Sequence, residues 1–396
     1  MKTLSFEGNG WEYFKIWIVN VLLTVITLGI YYPWAKVRNL RYFYANSSLE
    51  GKKFNFHATG KQLFIGYLIA MVLLVIFVLV QKMSPTGNLF LLSALFLASP
   101  WIIWRSLKFN LIMTSFSNVR FSFSGDLSNA YINFLLLPIA LAFVVYGTPA
   151  GLAFVIYKTG ISFNTLTIVL GTLALLVFIV LAIYGSSFLK KRNTCYTING
   201  FRFGQGVFGT TVETRGFAII SLRTMSLGFL VIIAFILTLP FAVSMTRDMS
   251  GVEVMQLAMS DPQKTAMLIS DGLRLLIVPV YTGMIAASLF IMAYSYTRQR
   301  AYIYSNSRLD DEVAFVSTLR ARSMAWVMIS NLIIIIFSLG FAIPWAKVRM
   351  ARLILKNTQI AASSGFDKYV TEIKNKESAL GEQIGDAFDV QVEIGI

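Results

Sequence analysis

Two copies of one basic stretch carry the residues with the clearest capacity for chemistry. PWAKVR occupies residues 33–38 and again 344–349, and each copy is followed by a further arginine. Guanidinium and ammonium groups bind phosphate, and tryptophan is favoured at the membrane–water interface. The candidate lipid-headgroup residues are Trp34, Lys36, Arg38, Arg41, Trp345, Lys347, Arg349 and Arg352. The alternative is that both stretches only hold the chain at the interface and set its orientation.

Two asparagines, Asn20 and Asn331, are the polar residues that recur within apolar segments. Such a residue hydrogen-bonds across a helix contact, for about 0.6 kcal/mol on average, or contacts a solute or ion. No Asp, Glu, Lys, Arg or His lies deep in an apolar run, which argues against proton-driven transport and against an enzyme with convergent acids. With one cysteine, Cys195, and one histidine, His57, the sequence predicts no metal site, no cofactor and no catalytic residue.

The elements that position these residues are long apolar runs. The chain has 396 residues, of which 13% are charged, against about 25% in ordinary soluble domains. A helix needs roughly 20 apolar residues to cross the hydrocarbon. Charge-free runs occupy 16–35, 62–81, 83–104, 127–157, 159–189, 224–246, 275–297 and 323–346. The sequence therefore predicts an all-α integral membrane protein with about eight transmembrane helices, and YGTPAG within 127–157 favours a helix followed by a re-entrant piece.

The net charge of +15 is concentrated in alternate loops. Loops 36–62, 105–131, 190–223 and 298–322 carry six, three, six and five basic residues. The positive-inside rule places these loops in the cytoplasm and the N-terminus outside, and their shortness argues against nucleic-acid binding.

Eight crossings would leave the basic segment after the last run outside, which conflicts with that rule. One run must therefore not cross, one further crossing must exist, or the rule fails at this end. The run 127–157 and the last run are the candidates. The first run is expected to stay in the mature protein, because no basic n-region precedes it.

Internal repetition organises the chain. Residues 20–49 and 331–360 share 11 identities in 30 without a gap. Weaker copies align Arg38 with Arg105 and Phe54 with Phe121. Each unit is a membrane helix, a basic helical extension, a turn and an F-x-F strand, and four such strands would form a small cytoplasmic sheet. The predicted repeats are 20–60, 100–126, 184–206, 294–318 and 331–360.

These repeats lie in a predicted polytopic membrane domain, 1–360. The segment 361–396 has seven acids and three lysines, and is predicted to be an acidic, cytoplasmic or otherwise exposed tail. Its end, DVQVEIGI, alternates as a strand does.

Two further motifs are predicted to be structural. His57 follows KKFNF and is predicted to be a solvated loop histidine, with no neighbouring residues that suggest a catalytic triad. GFRFGQG at 200–206 has loosely spaced glycines without the strand-to-helix context of a dinucleotide fingerprint, and predicts a turn between strands.

The N-terminal residues resemble the YjgN-like family of bacterial inner-membrane proteins. The matching residues are Phe6, Gly8, Gly10, Tyr13, Phe14, Ile16, Trp17, Val19, Asn20, 27–31 and 33–35. MTSFSNVRFSF at 113–123 is also similar to the family. The resemblance covers most of the chain and implies a multi-pass protein of the bacterial inner membrane, in a family with no established activity.

The sequence thus predicts a protein that binds or moves a lipid-like or small solute through basic interfacial motifs. The alternative is a non-transporting membrane scaffold or lipid-headgroup-binding protein, and an enzyme ranks behind both. Transport predicts a polar cavity lined by Asn20, Asn331, Thr24 and Thr27, whereas a scaffold predicts a basic rim without a cavity. The expected partners are membrane lipids and a small solute, with no nucleic acid, and the oligomeric state is not predicted.

Overall fold

The computed structural model describes residues 1–159, 165–247, 251–310 and 312–362. The strands are β1 (Lys2–Phe6), β2 (Ser47–Leu49), β3 (Lys52–Phe56), β4 (Thr114–Phe116), β5 (Val119–Phe123), β6 (Phe201–Phe203), β7 (Gly206–Thr210), β8 (Ser307–Leu309), β9 (Val313–Ser317) and β10 (Thr358–Ala362). The helices are α1 (Gly10–Ile26), α2 (Tyr32–Ala45), α3 (Gly60–Met83), α4 (Pro85–Ile112), α5 (Leu127–Tyr131), α6 (Leu137–Thr159), α7 (Thr165–Gly200), α8 (Thr214–Arg247), α9 (Gly251–Ser260), α10 (Pro262–Ser305), α11 (Ala321–Phe337) and α12 (Ile343–Lys356). A π-helical segment, Ile132–Leu136, joins α5 to α6. Nearly all of the predicted acidic tail, including its strand-like end, lies outside the described residues.

The ten described strands form one closed antiparallel barrel. Neighbours in the barrel follow chain order from β2 to β10, and β1 closes the ring between β10 and β2. In this closure Thr3 is opposite Gln359 and Leu4 is opposite Leu49. A closed ring leaves no sheet edge unpaired. The predicted sheet of four strands was therefore too small, because each F-x-F segment also pairs with a second short strand of its own hairpin.

The interior of the barrel is a packed apolar core. Its buried side chains are Leu4, Leu49, Phe116, Val119, Phe203, Leu309, Val313 and Ile360. Aromatic rings fill the remaining space, with centroids 4.7 Å apart for Phe54 and Phe116 and 4.9 Å apart for Phe121 and Phe203. Period-two alternation along each short strand sends these residues inward, so the F-x-F pattern supplies the core of the barrel.

Helical excursions, defined here as the helices between two neighbouring barrel strands, alternate with β-hairpins. In the described residues there are five, formed by α1–α2, α3–α4, α5–α7, α8–α10 and α11–α12. Each leaves the barrel after one strand and returns before that strand's neighbour. Each predicted repeat contains the end of one excursion and the strand or strands that follow it.

The chain divides into two compact units. The first holds the barrel and comprises Met1–Phe217, Arg300–Leu319 and the segment from Ile334 onward. The second comprises Ala218–Gln299 and Arg320–Ile333.

Six helical segments in the described part of the chain are long and apolar enough to cross a membrane. They are Gly60–Lys82, Thr86–Ile112, Leu127–Val155, Ile168–Gly200, Thr214–Leu237 and Pro279–Ser305. The prediction of eight spans is therefore wrong for the first and last apolar runs. The re-entrant piece predicted at YGTPAG is also wrong, because α6 continues through it with Pro149 inside the helix.

The first and last runs are each interrupted by a tight turn. α1 and α11 have 17 residues each, which is about 25 Å of helix. Both end in a left-handed residue followed by a glycine, with φ of 48° and 93° at Leu28 and Gly29 and of 52° and 91° at Leu339 and Gly340. The Gly29 amide donates to the carbonyl of Thr24 at 2.7 Å, a bond typical of a Schellman helix end. The chain then reverses into α2 or α12.

These two helical hairpins resolve the conflict over topology. β1 and β2 flank the first hairpin and pair with each other, as β9 and β10 do around the last. Both hairpins therefore start and finish on the barrel side. β1 lies on the side of the basic loops, contrary to the predicted opposite placement of the N-terminus, and the basic segment after Pro344 lies there too.

Candidate functional site at the barrel–helix boundary

The two PWAKVR stretches form the first turns of α2 and α12, the helices that return to the barrel. Pro33 and Pro344 occupy the first turn, where a missing N–H costs nothing, and both are buried. α1 packs against both returning helices, so the two stretches flank it. The eight predicted headgroup residues therefore lie on two separate helices in equivalent positions.

The tryptophans of the two stretches pack against glycines that begin neighbouring helices. A Cβ on Gly60 would overlap the ring of Trp34, and a Cβ on Gly10 would overlap the ring of Trp345. Trp345 also stacks near Phe14, with centroids 5.1 Å apart. Both indoles thus fill a space that only glycine leaves open, which is a packing role.

The second arginine of each stretch holds a backbone carbonyl. Arg41 Nη2 donates to the oxygen of Ala58 at 2.7 Å, and Arg352 Nη2 donates to the oxygen of Gly8 at 3.0 Å. Each carbonyl lies two residues before the helix whose first glycine meets the tryptophan. The pair of contacts joins one excursion to the next.

The first arginine of the N-terminal stretch meets the intramembrane asparagine. Arg38 Nη1 donates to Asn20 Oδ1 at 3.2 Å and to the Tyr31 hydroxyl at 3.3 Å. Asn20 is 3% exposed, and its Nδ2 donates to Asn39 Oδ1 at 3.1 Å. Asn331, its repeat counterpart, is buried on α11. Asn20 is therefore paired within the fold.

The threonines predicted to line a transport cavity form hydrogen bonds within their own helical hairpin. Thr24 Oγ1 donates to the carbonyl of Asn20 at 2.6 Å, and Thr27 Oγ1 donates to that of Leu23 at 2.7 Å. Such bonds satisfy the hydroxyls without a solute.

Lys36 and Lys347 are the exposed lysines of the two stretches, and Arg38 is exposed as well. Within the described residues neither ammonium pairs with a carboxylate, whereas Lys2 and Lys53 pair with Glu50 and Glu7. These two lysines therefore remain available for an external anion.

The five excursions can be aligned on the first residue of the barrel strand that follows each one. In this alignment all five carry the basic and aromatic residues of the motif. An arginine stands nine residues before every such strand: Arg38, Arg105, Arg192, Arg298 and Arg349. An aromatic residue stands four positions earlier: Trp34, Trp101, Phe188, Tyr294 and Trp345. A buried proline or small residue precedes it: Pro33, Pro100, Ser187, Ala293 and Pro344. The sequence analysis found the arginine in two strong copies and one weak one.

Contacts of the weaker copies follow the same scheme. The guanidinium carbon of Arg105 lies 5.7 Å from the Trp101 ring centroid, and that of Arg298 lies 5.5 Å from the Tyr294 centroid. In the third excursion Arg192 Nε donates to Asn133 Oδ1 at 3.1 Å, repeating the arginine–asparagine pair of the first. An arginine supported by an aromatic ring or an asparagine thus marks the barrel–helix boundary.

A polar cavity of about 310 Å³ lies at this boundary in the third excursion. Its lining includes Asp126, Asn129, Asn133, Arg192 and Arg202. A second cavity, of about 510 Å³, lies within the other unit and has a mostly apolar lining: Thr224, Ser288, Ile291, Met292, Ser295, Tyr296 and Gln299. Only the first gathers charged side chains.

The remaining sequence motifs are structural in the described residues. His57 is exposed but not simply solvated, because its Nε2 lies 2.8 Å from Ser115 Oγ. Partial burial lowers the pKa of His57, and Arg120 and Arg41 lower it further. The predicted turn in GFRFGQG is confirmed between β6 and β7. No cluster of three or more potential metal ligands occurs in the described part of the chain.

Comparison with known proteins identifies the family of this chain. The model of the family "Bacterial protein of unknown function (DUF898)" matches residues 1–387. The chain belongs to this family. It is 29% identical over 381 residues to "Inner membrane protein YjgN" of Salmonella typhimurium LT2, covering 96% of this chain and 92% of the relative. The resemblance to YjgN-like proteins is confirmed.

Two further relatives carry the same name. The protein from Escherichia coli O157:H7 is 28% identical over 358 residues, which is 90% of this chain and 87% of the relative. The protein from Escherichia coli K12 is 36% identical over 138 residues, 35% of each chain. No solved structure matches the chain significantly. This family member is a multi-pass protein of the bacterial inner membrane.

Proposed function

We propose that this chain binds phospholipid head groups at the barrel–helix boundary, through the basic side chains that recur there. The observation that supports the proposal is the arginine nine residues before a barrel strand in every excursion. Internal packing explains Trp34, Trp345, Arg41 and Arg352, but a stable barrel does not require a cation at all five boundary positions.

The position of the boundary supports this proposal, because spanning segments end there, at the depth expected for lipid phosphates. The spanning segment Ile168–Gly200 ends directly before β6, so Arg192 stands close to the end of the hydrocarbon. A basic residue near an anionic surface contributes about 1 kcal/mol, and a guanidinium binds phosphate with two parallel hydrogen bonds. Arg38 uses only Nη1 in the contacts of the described residues, which leaves Nη2 and Nε for a ligand.

Movement of lipid is the second candidate, and the short hairpins favour it over movement of a small solute. Trp345 of α12 lies 5.1 Å from Phe14 of α1, so the two short hairpins contact each other through these helices. Their tips, Leu28 and Leu339, are each 89% exposed. A protein surface shorter than the hydrocarbon thins the adjacent bilayer. A thinned sector beside a row of cations would lower the barrier to head-group passage.

Binding is tested by native mass spectrometry in mild detergent. The test variant is Lys36→Glu/Lys347→Glu, because both lysines are exposed, make no ion pair in the described residues and stand two residues before the boundary arginines Arg38 and Arg349. A reversed charge there repels a phosphate from the arginines without removing them. The matched control, Lys82→Glu/Lys158→Glu, reverses the same charge at the other ends of spanning helices. We expect retained phospholipid to fall in the test variant only. Unchanged retention in both, or equal loss in both, would reject a specific boundary site.

Movement is tested separately in vesicles of fluorescently labelled phosphatidylcholine and phosphatidylglycerol. Dithionite quenches only the label in the outer leaflet, so passage between leaflets appears as quenching beyond half of the signal. Faster passage than in protein-free vesicles would support lipid movement. Equal rates, together with retained lipid in the mass spectra, would support a headgroup-binding scaffold instead.

A further inference from the structure

We propose that the polar cavity of the third excursion binds an amino-phosphodiester head group, with the phosphate on Arg192 and Arg202 and the amine at Asp126. This assignment rests on the proposed lipid binding and deepens it. The cavity, of about 310 Å³, is formed by the loop before α5, the π-helical segment, the end of α7 and β6. All of these elements belong to the barrel unit.

Arg192 is held in the cavity wall by a buried partner. Asn133 is 3% exposed and accepts from Arg192 Nε at 3.1 Å. Asn133 lies in the π-helical segment Ile132–Leu136, and π-helical turns within α-helices are frequent at functional sites. The wider turn brings this buried amide to the arginine, and the guanidinium Nη groups remain for a ligand.

Arg202 supplies the second cation. Its Nη1 donates to the carbonyls of Asn199 at 3.0 Å and Phe201 at 3.2 Å, which fixes the side chain along the strand end. Neither Arg192 nor Arg202 makes an ion pair with a carboxylate in the described part of the chain. Two unpaired guanidiniums that line one cavity favour a phosphate, which each of them can bind through paired N–H donors.

The negative charge of Asp126 indicates that the ligand is a zwitterion, not a simple anion. Asp126 lines the same cavity, and its side chain makes no capping bond to α5. Its backbone carbonyl is held by the Tyr196 hydroxyl at 2.9 Å, so the residue is positioned. A carboxylate repels free phosphate but pairs with an ammonium. Two guanidiniums and one carboxylate therefore match a phosphodiester that carries an amine.

The cavity also lies near the ends of two candidate spanning segments, where a lipid head group is expected. Asn133 lies near the start of the segment Leu127–Val155, and Arg192 lies near the end of Ile168–Gly200. Both positions are next to the barrel strands, at the end of the hydrocarbon. A bound lipid would place its head in the cavity and its chains along these two helices.

The test measures affinity by native mass spectrometry for phosphatidylethanolamine, phosphatidylglycerol and soluble glycerophosphoethanolamine. Arg202→Gln should weaken phosphatidylethanolamine binding about tenfold or more, since one charge-assisted pair is lost. Arg308→Gln is the matched control, because Arg308 is the central residue of β8 as Arg202 is of β6. Asp126→Asn should abolish the preference for the ethanolamine lipid over the glycerol lipid.

Several outcomes overturn the assignment. Full affinity in Arg202→Gln, or an equal loss in Arg308→Gln, rejects the arginine site. Equal binding of both lipids to wild type and Asp126→Asn rejects the amine position. If Arg202→Gln does not fold, Arg192→Gln removes the other guanidinium at an exposed lining position and should weaken binding similarly.

Two comparisons distinguish a lipid from a soluble ligand, and the cavity proposal from the boundary proposal. Binding of glycerophosphoethanolamine as tight as that of the lipid supports the head-group chemistry and makes a soluble compound the ligand. Lys36→Glu/Lys347→Glu lies outside the cavity and should leave this affinity unchanged. Loss in the lysine variant with Arg202→Gln unaffected would retain the boundary proposal and reject the cavity.

Discussion

Trp345, in the last described helix, packs against Gly10, at the start of the first, as Trp34 packs against Gly60 in the next excursion. The contact between the last and first excursions therefore copies the contact between the first and second. In a closed ring, neighbouring excursions that carry the same sequence motif form equivalent contacts. PWAKVR occurs twice because both returning helices pack against a helix that begins with glycine.

Substitution of the docking glycines should destabilise the protein. Gly60→Ala places a methyl group inside the Trp34 ring, and the resulting overpacking costs about 1–3 kcal/mol. Thermal unfolding in detergent measures the change. Gly66→Ala in the same helix is the control, since a Cβ there meets nothing within 4 Å. Equal melting temperatures for the two variants would contradict the docking role.

Loss of the arginine–carbonyl contacts should also weaken the ring. Arg352→Gln removes the donor to the carbonyl of Gly8, and Arg41→Gln removes the donor to that of Ala58. An unpaired carbonyl in a buried setting costs about 1–3 kcal/mol. Lys347→Gln, on the same helix as Arg352 but without a hydrogen-bond partner in the described residues, should unfold at the wild-type temperature. If all three variants unfold together with wild type, these bonds contribute nothing measurable.

The end hairpins should not be reachable from outside the cell. In a Cys195→Ser background, an impermeant maleimide added to spheroplasts should label Thr86→Cys, at the start of the second spanning segment, but not Leu28→Cys or Leu339→Cys. Both tips follow helices of 17 residues, about 25 Å, which is less than the roughly 30 Å of hydrocarbon, and the chain then turns back toward the barrel. Glu50→Cys, on the barrel side, should label only after permeabilisation. Labelling of Leu28→Cys from outside would restore a crossing at the first run.

His57 should make stability depend on pH. Partial burial, with repulsion from Arg120 and Arg41, lowers its pKa in the folded chain, so the unfolded chain binds the proton more readily. The folded state therefore loses stability as the pH falls through about 6.5, the ordinary histidine value, and is unaffected above it. His57→Gln removes this titration and keeps a polar partner for Ser115. Melting curves of both proteins at about pH 5.5 and about pH 7.5 test this, and parallel shifts would disprove it.

Hydrophobic runs predicted the membrane class correctly but overcounted the spans. The runs 16–35 and 323–346 contain enough apolar residues to cross, and nothing in their composition separates them from true spans. The decisive residues are Leu28 and Leu339, which take a left-handed conformation that leucine rarely adopts. The turns are held by local backbone bonds, from the Gly29 amide to the Thr24 carbonyl and from the Gly340 amide to the Ile335 carbonyl, which a count of apolar residues does not register.

The repeats were visible in the sequence, but the closed barrel was not. F-x-F alternation predicted one strand per unit, because three-residue strands such as Ser47–Leu49 are too short for a periodic signal. Pairing of β1 with β10 joins the two ends of the described chain, a contact that local patterns cannot encode. The PWAKVR residues were found, whereas Arg192 and Arg202 needed the strand register to link them to one cavity.

The pairing of β1 with β10 also has a consequence for biosynthesis. Among the described strands β1 is made before the others, and it completes its ladder only when β10 has been made. Until then the nascent sheet carries two open edges, which are templates for aggregation and targets for proteolysis. Closure thus reports that every excursion has been inserted and returned to the correct side. A chain that stops early or misplaces one hairpin keeps its sheet edges open and remains a target for proteolysis.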